Sequence, residues 1–74
     1  MQSFMFPTAT RGLTPSQMKV IAANWLMSTP EVVDCEWHAG PYKQLEVYAD
    51  DKADATSLAT AWQVYVDKAE DARL

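Results

Sequence analysis

The sequence contains few of the residues that form covalent or metal cross-links. Its one cysteine, Cys35, cannot form an internal disulfide, and a zinc site with four cysteine ligands is equally impossible. The chain is therefore not a disulfide-stapled secreted mini-protein, and a reducing compartment suits it best. Glycine is also scarce, since Gly12 and Gly40 are the two present. That scarcity excludes the glycine-rich loops that cradle the phosphates of nucleotides.

Long apolar runs are absent as well. No stretch approaches the ~18 consecutive apolar residues that a membrane-spanning helix needs. Residues 1 to 10 lack the basic start and the apolar stretch of a signal peptide. These absences predict a protein without a membrane partner that resides in the cytoplasm, or in the host cytoplasm if its source is a virus.

A chain of 74 residues has room for one hydrophobic core, and we expect residues 1 to 74 to form a single α+β domain. Hydrophobic residues make up 49% and charged residues 22%, a composition typical of folded soluble proteins rather than disordered ones. A domain this small buries only about 60% of the surface that its unfolded chain exposes. We therefore expect modest stability, to which a partner or a second copy of the chain would add.

The formal net charge of −4 is distributed unevenly along the chain. Residues 1 to 30 contain Arg11 and Lys19 and no acid, whereas residues 31 to 74 contain all ten acids and four bases. The basic residues are scattered singly, so the Lys and Arg clusters that bind phosphate backbones are missing. Direct binding of nucleic acid is not expected. The acidic half either faces a basic partner or is simply well solvated.

The clearest local signal is the start of a helix at Pro15. Thr14 supplies an N-cap hydroxyl, Pro15 occupies the first helical position, and Gln17 completes a capping box. The helix is predicted to end near Ser28, because Pro30 pushes the residue before it out of the helical region. Its predicted core face consists of Met18, Ile21, Ala22, Trp25 and Leu26. A second apolar strip lies nearly opposite and is either ordinary surface or a contact surface for another chain. This apolar strip consists of Val20, Ala23 and Met27.

Two runs of alternating polar and apolar residues, 31–38 and 43–49, predict an antiparallel hairpin with a turn at Gly40 and Pro41. The side chains predicted to face the core are Val33, Cys35, Trp37, Leu45, Val47 and Ala49. The side chains predicted to face outward are Val32, Asp34, Glu36, His38, Gln44, Glu46 and Tyr48.

A long final helix follows the hairpin. Asp50 and Asp51 are predicted to cap it, with Asp54 in its first turn, where the helix dipole favours negative charge. Its core stripe is predicted to contain Ala55, Leu58, Trp62, Tyr65, Ala69 and Ala72. Its opposite side is predicted to be polar and mostly acidic, with Thr56, Thr60, Gln63, Asp67, Glu70 and Asp71.

The first segment, residues 2 to 6, is compatible with a short edge strand that ends at Pro7. A hairpin alone is too small to be stable, and two amphipathic helices need a sheet to cover, so a third strand is favoured. The predicted fold is a small two-layer α+β sandwich with the order β-α-β-β-α. Its three-stranded antiparallel sheet would carry both helices on one face and leave the other face at least partly open.

Catalytic constellations are not apparent. Cys35 and His38 are three residues apart on a strand of period two, so they point to opposite faces and cannot pair as nucleophile and base. His38 shares a face with Glu36 and Glu46, the minimum set for a metal site, but the sequence leaves the carboxylates unplaced. We therefore predict a solvated histidine, no metal, no cofactor and no enzymatic activity. A small metal-dependent or hydrolytic enzyme centred on these three residues is the alternative.

The main functional hypothesis is a non-enzymatic module that binds a larger protein or complex and occludes its surface. In size, acidity and architecture alone, the chain resembles small virus-encoded inhibitors such as anti-CRISPR and host-takeover proteins. Two alternatives are an acidic mimic of nucleic acid that competes for a basic surface, and a homodimeric assembly component. The candidate acidic contacts are Asp34, Glu36, Glu46, Asp67, Glu70 and Asp71. The candidate apolar and aromatic contacts are Val20, Ala23, Met27, Tyr42 and Tyr48.

Overall fold

A computed structural model describes residues 1–73, which form three strands and two helices in the predicted order β-α-β-β-α. The elements are β1 (Gln2–Pro7), α1 (Pro15–Ser28), β2 (Val32–His38), β3 (Gln44–Ala49) and α2 (Ala55–Arg73). The predicted α+β fold is thus confirmed. The predicted domain also includes Leu74, which lies outside the described residues. Neither α1 nor α2 combines the length and the apolar character that crossing a membrane requires.

The sheet is antiparallel, with the strand order β1-β3-β2, so β3 lies between two edge strands. Leu45, Val47 and Ala49 of β3 are fully buried, as their alternation predicts. Strand β1 aligns Phe4 with Val47 and Phe6 with Leu45, and so extends the apolar face of the sheet. The third strand therefore gives both helices a wider surface to cover.

Three tryptophans from three elements form the centre of the core. The Trp62 ring of α2 lies 5.3 Å from that of Trp25 on α1 and 6.4 Å from that of Trp37 on β2, measured between ring centroids. The Trp62 indole N–H donates a 2.8 Å hydrogen bond to the buried hydroxyl of Thr8, which follows β1. This cluster therefore joins both helices to the sheet and to the end of its first strand.

The predicted start and end of α1 are confirmed. The Thr14 hydroxyl accepts a 3.1 Å hydrogen bond from the Gln17 N–H, and the Gln17 side-chain oxygen accepts a 2.8 Å bond from the Thr14 N–H. These two bonds form a capping box, and the helix ends at Ser28, two residues before Pro30. They satisfy backbone donors that the first turn would otherwise leave unpaired.

Replacing Thr14 with alanine is expected to lower the free energy of unfolding by about 1 kcal/mol, because the Gln17 N–H loses its acceptor. Urea denaturation followed by circular dichroism would measure the change. Ser16→Ala is the matched control, since Ser16 is exposed in the same first turn and alanine is a good helix former. Equal denaturation midpoints for the two variants would contradict a stabilising role for the cap.

The prediction for the first half of β2 was wrong. Val32 pairs with Ala49 and Asp34 pairs with Tyr48, so Val33 is an extra residue in a β-bulge. The bulge reverses the alternation at its start: Val32 is buried, whereas Val33 is 61% exposed. From Asp34 onward the predicted alternation holds.

The predicted cap of α2 was also wrong. The helix begins at Ala55, and Asp54 is its cap: the Asp54 carboxylate accepts hydrogen bonds from the N–H and the hydroxyl of Ser57. These bonds hold the pKa of Asp54 below its usual value. Asp50 instead accepts a bond from the Lys52 N–H and so closes the turn that leaves β3.

Candidate binding face

The sheet face opposite the helices carries mostly polar, partly exposed side chains. Because side chains alternate along a strand, every second residue of each strand belongs to this face. We call it the open face, and it consists of Ser3, Met5, Pro7, Asp34, Glu36, His38, Gln44, Glu46 and Tyr48. The open face contains three carboxylates and no lysine or arginine.

The sheet register arranges the open face in rows. One row places Met5 beside Glu46, and Glu46 beside Glu36. The next row places Tyr48 between Ser3 and Asp34. The predicted acidic contacts of the hairpin and Tyr48 therefore lie together on one surface. Their grouping follows from the alternation, whereas their pairing depends on the register.

A hydrogen-bond network joins three side chains at the centre of the open face. Glu46 Oε1 lies 2.9 Å from His38 Nε2, and Glu46 Oε2 accepts a 2.5 Å hydrogen bond from the Tyr48 hydroxyl. The bond from Tyr48, and then the bond with His38, hold the pKa of Glu46 below its usual value. The same bond with Glu46 raises the pKa of Tyr48, and partial burial and the nearby carboxylates add to the rise.

Neither shift moves a pKa at the open face toward neutral pH, where a general acid or base works best. A carboxylate with a lowered pKa is a weak general base, and a phenol with a raised pKa is a weak acid. The thiol of Cys35 points to the helix side, where its Sγ lies 3.6 Å from the Ala22 carbonyl oxygen. Burial and the charge of Asp34 raise the pKa of Cys35, which disfavours the reactive thiolate. The predicted separation of Cys35 from His38 is confirmed.

Exposed apolar side chains border the carboxylates. Met1, Met5 and Val33 are 73%, 48% and 61% exposed. Met1 and Val33 line a shallow depression together with Asp34, Glu36 and Tyr48. None of these three residues was predicted from the sequence to be a contact residue. The alternation of Phe4, Met5 and Phe6 indicates an outward Met5 once β1 is accepted as a strand, but the sequence carries no comparable signal for the bulge at Val33.

The apolar strip is exposed on α1, away from the open face. Val20 is 61% and Met27 is 86% exposed, and Ala23 is exposed between them. Tyr42 is 76% exposed in the turn between β2 and β3. The structure therefore does not combine the predicted apolar and aromatic contacts into one surface: Tyr48 belongs to the open face, whereas Tyr42 and the strip lie elsewhere.

The predicted acidic face of α2 is smaller than expected. Asp67 and Asp71 are exposed, and Asp71 lies 3.4 Å from the Arg11 guanidinium. Glu70, however, is only 5% exposed, so its assignment to an exposed acidic face was wrong. It lies four residues after the buried Val66 and therefore on the core side of the helix. The spacing Leu58, Trp62, Val66, Glu70 is the signal that would have revealed this.

Comparison of the chain with protein-family models, with curated proteins and with solved structures found no match. The geometry and the charge of the surfaces described above are therefore the basis for a functional assignment.

Proposed function

We propose that the protein is a non-enzymatic binding module that uses its open face to cover a basic surface of a larger protein. The observation that best supports this proposal is the charge of the open face. Asp34, Glu36 and Glu46 lie together on it, and none of its residues is a lysine or an arginine. Opposite charges across an interface steer the encounter and select the partner.

The apolar border of the open face supports the same proposal. Charge gives an interface its specificity, while desolvated apolar and aromatic side chains supply much of its affinity. Met5 and Val33 lie beside the carboxylates, and Tyr48 is partly buried at the centre of the face. A partly apolar and acidic sheet face is suited to covering a protein surface. Inhibition by occlusion, as by a virus-encoded inhibitor of a host complex, is the corresponding activity.

The test compares two double variants that change the net charge equally. Asp34→Lys with Glu36→Lys reverses charge on the open face, and Asp67→Lys with Asp71→Lys reverses it on α2. Each immobilised protein is used to retrieve partners from lysate of the native host, and the affinity for a retrieved basic protein is then measured. We expect the open-face variant to bind more than about tenfold more weakly, because like charges across an interface cost several kcal/mol. The α2 variant should retain binding.

Salt and mass measurements distinguish the alternatives. Binding through the open face should weaken as the salt concentration rises. Competition by DNA for the same partner would indicate that the protein mimics nucleic acid. Binding that persists at high salt and is lost in Val20→Asp with Met27→Asp would contradict the proposal and assign the contact to the apolar strip. A mass twice that of the chain by light scattering, with no retrieved partner, would instead indicate a homodimer.

A further inference from the structure

Three side chains that can ligate a metal converge on the open face. Glu36 and His38 are two residues apart on β2 and point to the same side, and Glu46 lies opposite Glu36 on β3. One donor atom from each of the three lies within 4.8 Å of the other two. The sequence places these residues on a common face, and the sheet register then brings their donor atoms together.

The register also creates an electrostatic conflict that a cation would resolve. Glu36 and Glu46 are directly cross-strand neighbours, an arrangement that is unfavourable for two like charges. Within residues 1–73, His38 is the side chain that pairs with both, at 3.9 Å from Glu36 and 2.9 Å from Glu46. A divalent ion bound between them would neutralise both carboxylates at once.

The donor atoms, all within 4.8 Å of one another, lie near the spacing found around a small tetrahedral ion. Bonds of 2.0–2.1 Å from zinc to imidazole nitrogen and carboxylate oxygen place neighbouring ligand atoms about 3.3 Å apart. The distances of 2.9 Å and 3.9 Å from His38 Nε2 to the two carboxylates bracket this value. Small side-chain rotations would equalise them. Such rotations are available because the His38 and Glu36 side chains are 42% and 68% exposed.

A second contact orients the central ligand. The Tyr48 hydroxyl donates to Glu46 Oε2, which leaves Oε1 directed at His38. Hydrogen bonds of this kind to ligating carboxylates are the usual outer shell of a metal site, since they fix which oxygen faces the ion. Glu46 is also the least exposed of the three ligands, at 26%, on the central strand of the sheet.

We propose that Glu36, His38 and Glu46 bind a divalent transition-metal ion such as Zn²⁺, with a remaining position open to water or to a donor from another molecule. One imidazole with two carboxylates favours zinc and its neighbours over magnesium or calcium, which prefer oxygen ligands alone. The inference does not rest on the proposed function, because it concerns the isolated chain, but it alters the surface which that function uses. A bound ion neutralises Glu36 and Glu46 and leaves Asp34 as the third carboxylate of the open face. The proposal assigns His38 a role as a metal ligand, whereas the sequence predicts a solvated histidine.

The test is calorimetric titration of the purified protein with Zn²⁺, alongside Co²⁺ titration followed by visible absorption. We expect one Zn²⁺ per chain, tetrahedral Co²⁺ absorption bands, and much weaker binding of Mg²⁺. His38→Ala should weaken Zn²⁺ binding by more than about 100-fold, because it removes a direct ligand. Tyr48→Phe should weaken it by about tenfold through the loss of an outer-shell bond.

Two control variants isolate the site. Asp67→Asn removes an exposed carboxylate from α2, and Cys35→Ser removes the thiol on the other side of the sheet. Both should bind Zn²⁺ as the natural chain does, and circular dichroism should show every variant folded. Unchanged Zn²⁺ binding in His38→Ala, equal affinity for Mg²⁺, or equal loss in Asp67→Asn would each overturn the assignment. Absence of Zn²⁺ binding would overturn it too and would leave the proposed protein-binding function intact.

Discussion

Replacing Trp62 with alanine is expected to lower the free energy of unfolding by about 3–5 kcal/mol, the largest effect of any single change we describe. Trp62 is fully buried and contacts the other two core tryptophans, so its removal leaves a large cavity between the helices and the sheet. Domains of this length typically have a free energy of unfolding of about 4–11 kcal/mol. The variant should therefore lose a large fraction of its free energy of unfolding and denature at a much lower urea concentration.

The expected loss divides into two parts that can be measured separately. Trp62→Phe keeps most of the ring but removes the N–H that donates to Thr8. Thr8→Val keeps the ring and leaves that buried N–H without its acceptor, at a cost of about 1–3 kcal/mol. Urea denaturation followed by circular dichroism suits all three variants, because the signal does not depend on the tryptophan count.

Tyr42→Ala is the control for these core variants. Tyr42 is 76% exposed, so its removal should change the free energy of unfolding by less than about 0.5 kcal/mol. If Trp62→Ala were no less stable than Tyr42→Ala, the core could not be centred on the tryptophan cluster.

The sequence predicts those parts of the fold where one local signal dominates. Thr14, Pro15 and Gln17 specify the start of α1 within a single turn, and the structure shows both bonds of the capping box. Alternation likewise places Glu36, Glu46 and Tyr48 on one face, because neither β3 nor the second half of β2 contains an extra residue. These short-range rules predict that Glu36, Glu46 and Tyr48 share the open face, but not the apolar residues beside them.

The failures occur where tertiary contacts decide between local options. Alternation cannot reveal the bulge at Val33, since the extra residue is defined only by its pairing with β3. Asp50 and Asp54 are both suitable caps, and the turn after β3 occupies Asp50, which leaves Asp54 as the cap. The contact between Glu36 and Glu46 depends on strand register, which a sequence with a five-residue connection between its strands does not specify.

Glu70 is the most instructive of these failures, and it leads to the second large effect that we expect. Its charge suggests a position exposed to solvent, but its place on α2 puts the side chain against the loop that precedes α1. There Oε2 accepts a 2.7 Å hydrogen bond from the Arg11 N–H and lies 3.7 Å from Arg11 Nε. Glu70 therefore connects the last helix to the segment between β1 and α1.

Replacing Glu70 with alanine should lower the free energy of unfolding by about 1–3 kcal/mol, because the Arg11 N–H loses its acceptor and buried packing is lost. Glu70→Gln keeps an acceptor oxygen and should cost less. Asp71→Ala, the neighbouring control, should cost no more than about 1 kcal/mol, because its pair with Arg11 is exposed to solvent.

The variant Glu70→Leu tests whether the hydrogen bond between the Arg11 N–H and Glu70 stabilises the fold or whether the Glu70 carboxylate is dispensable. Buried ion pairs can be replaced by apolar side chains without loss of stability when packing compensates. Here the orphaned donor is a backbone N–H that remains in place after any substitution of Glu70, so leucine should be nearly as destabilising as alanine. A Glu70→Leu variant as stable as the natural chain by urea denaturation would show that the Arg11 N–H is satisfied by solvent and that the carboxylate does not anchor the loop.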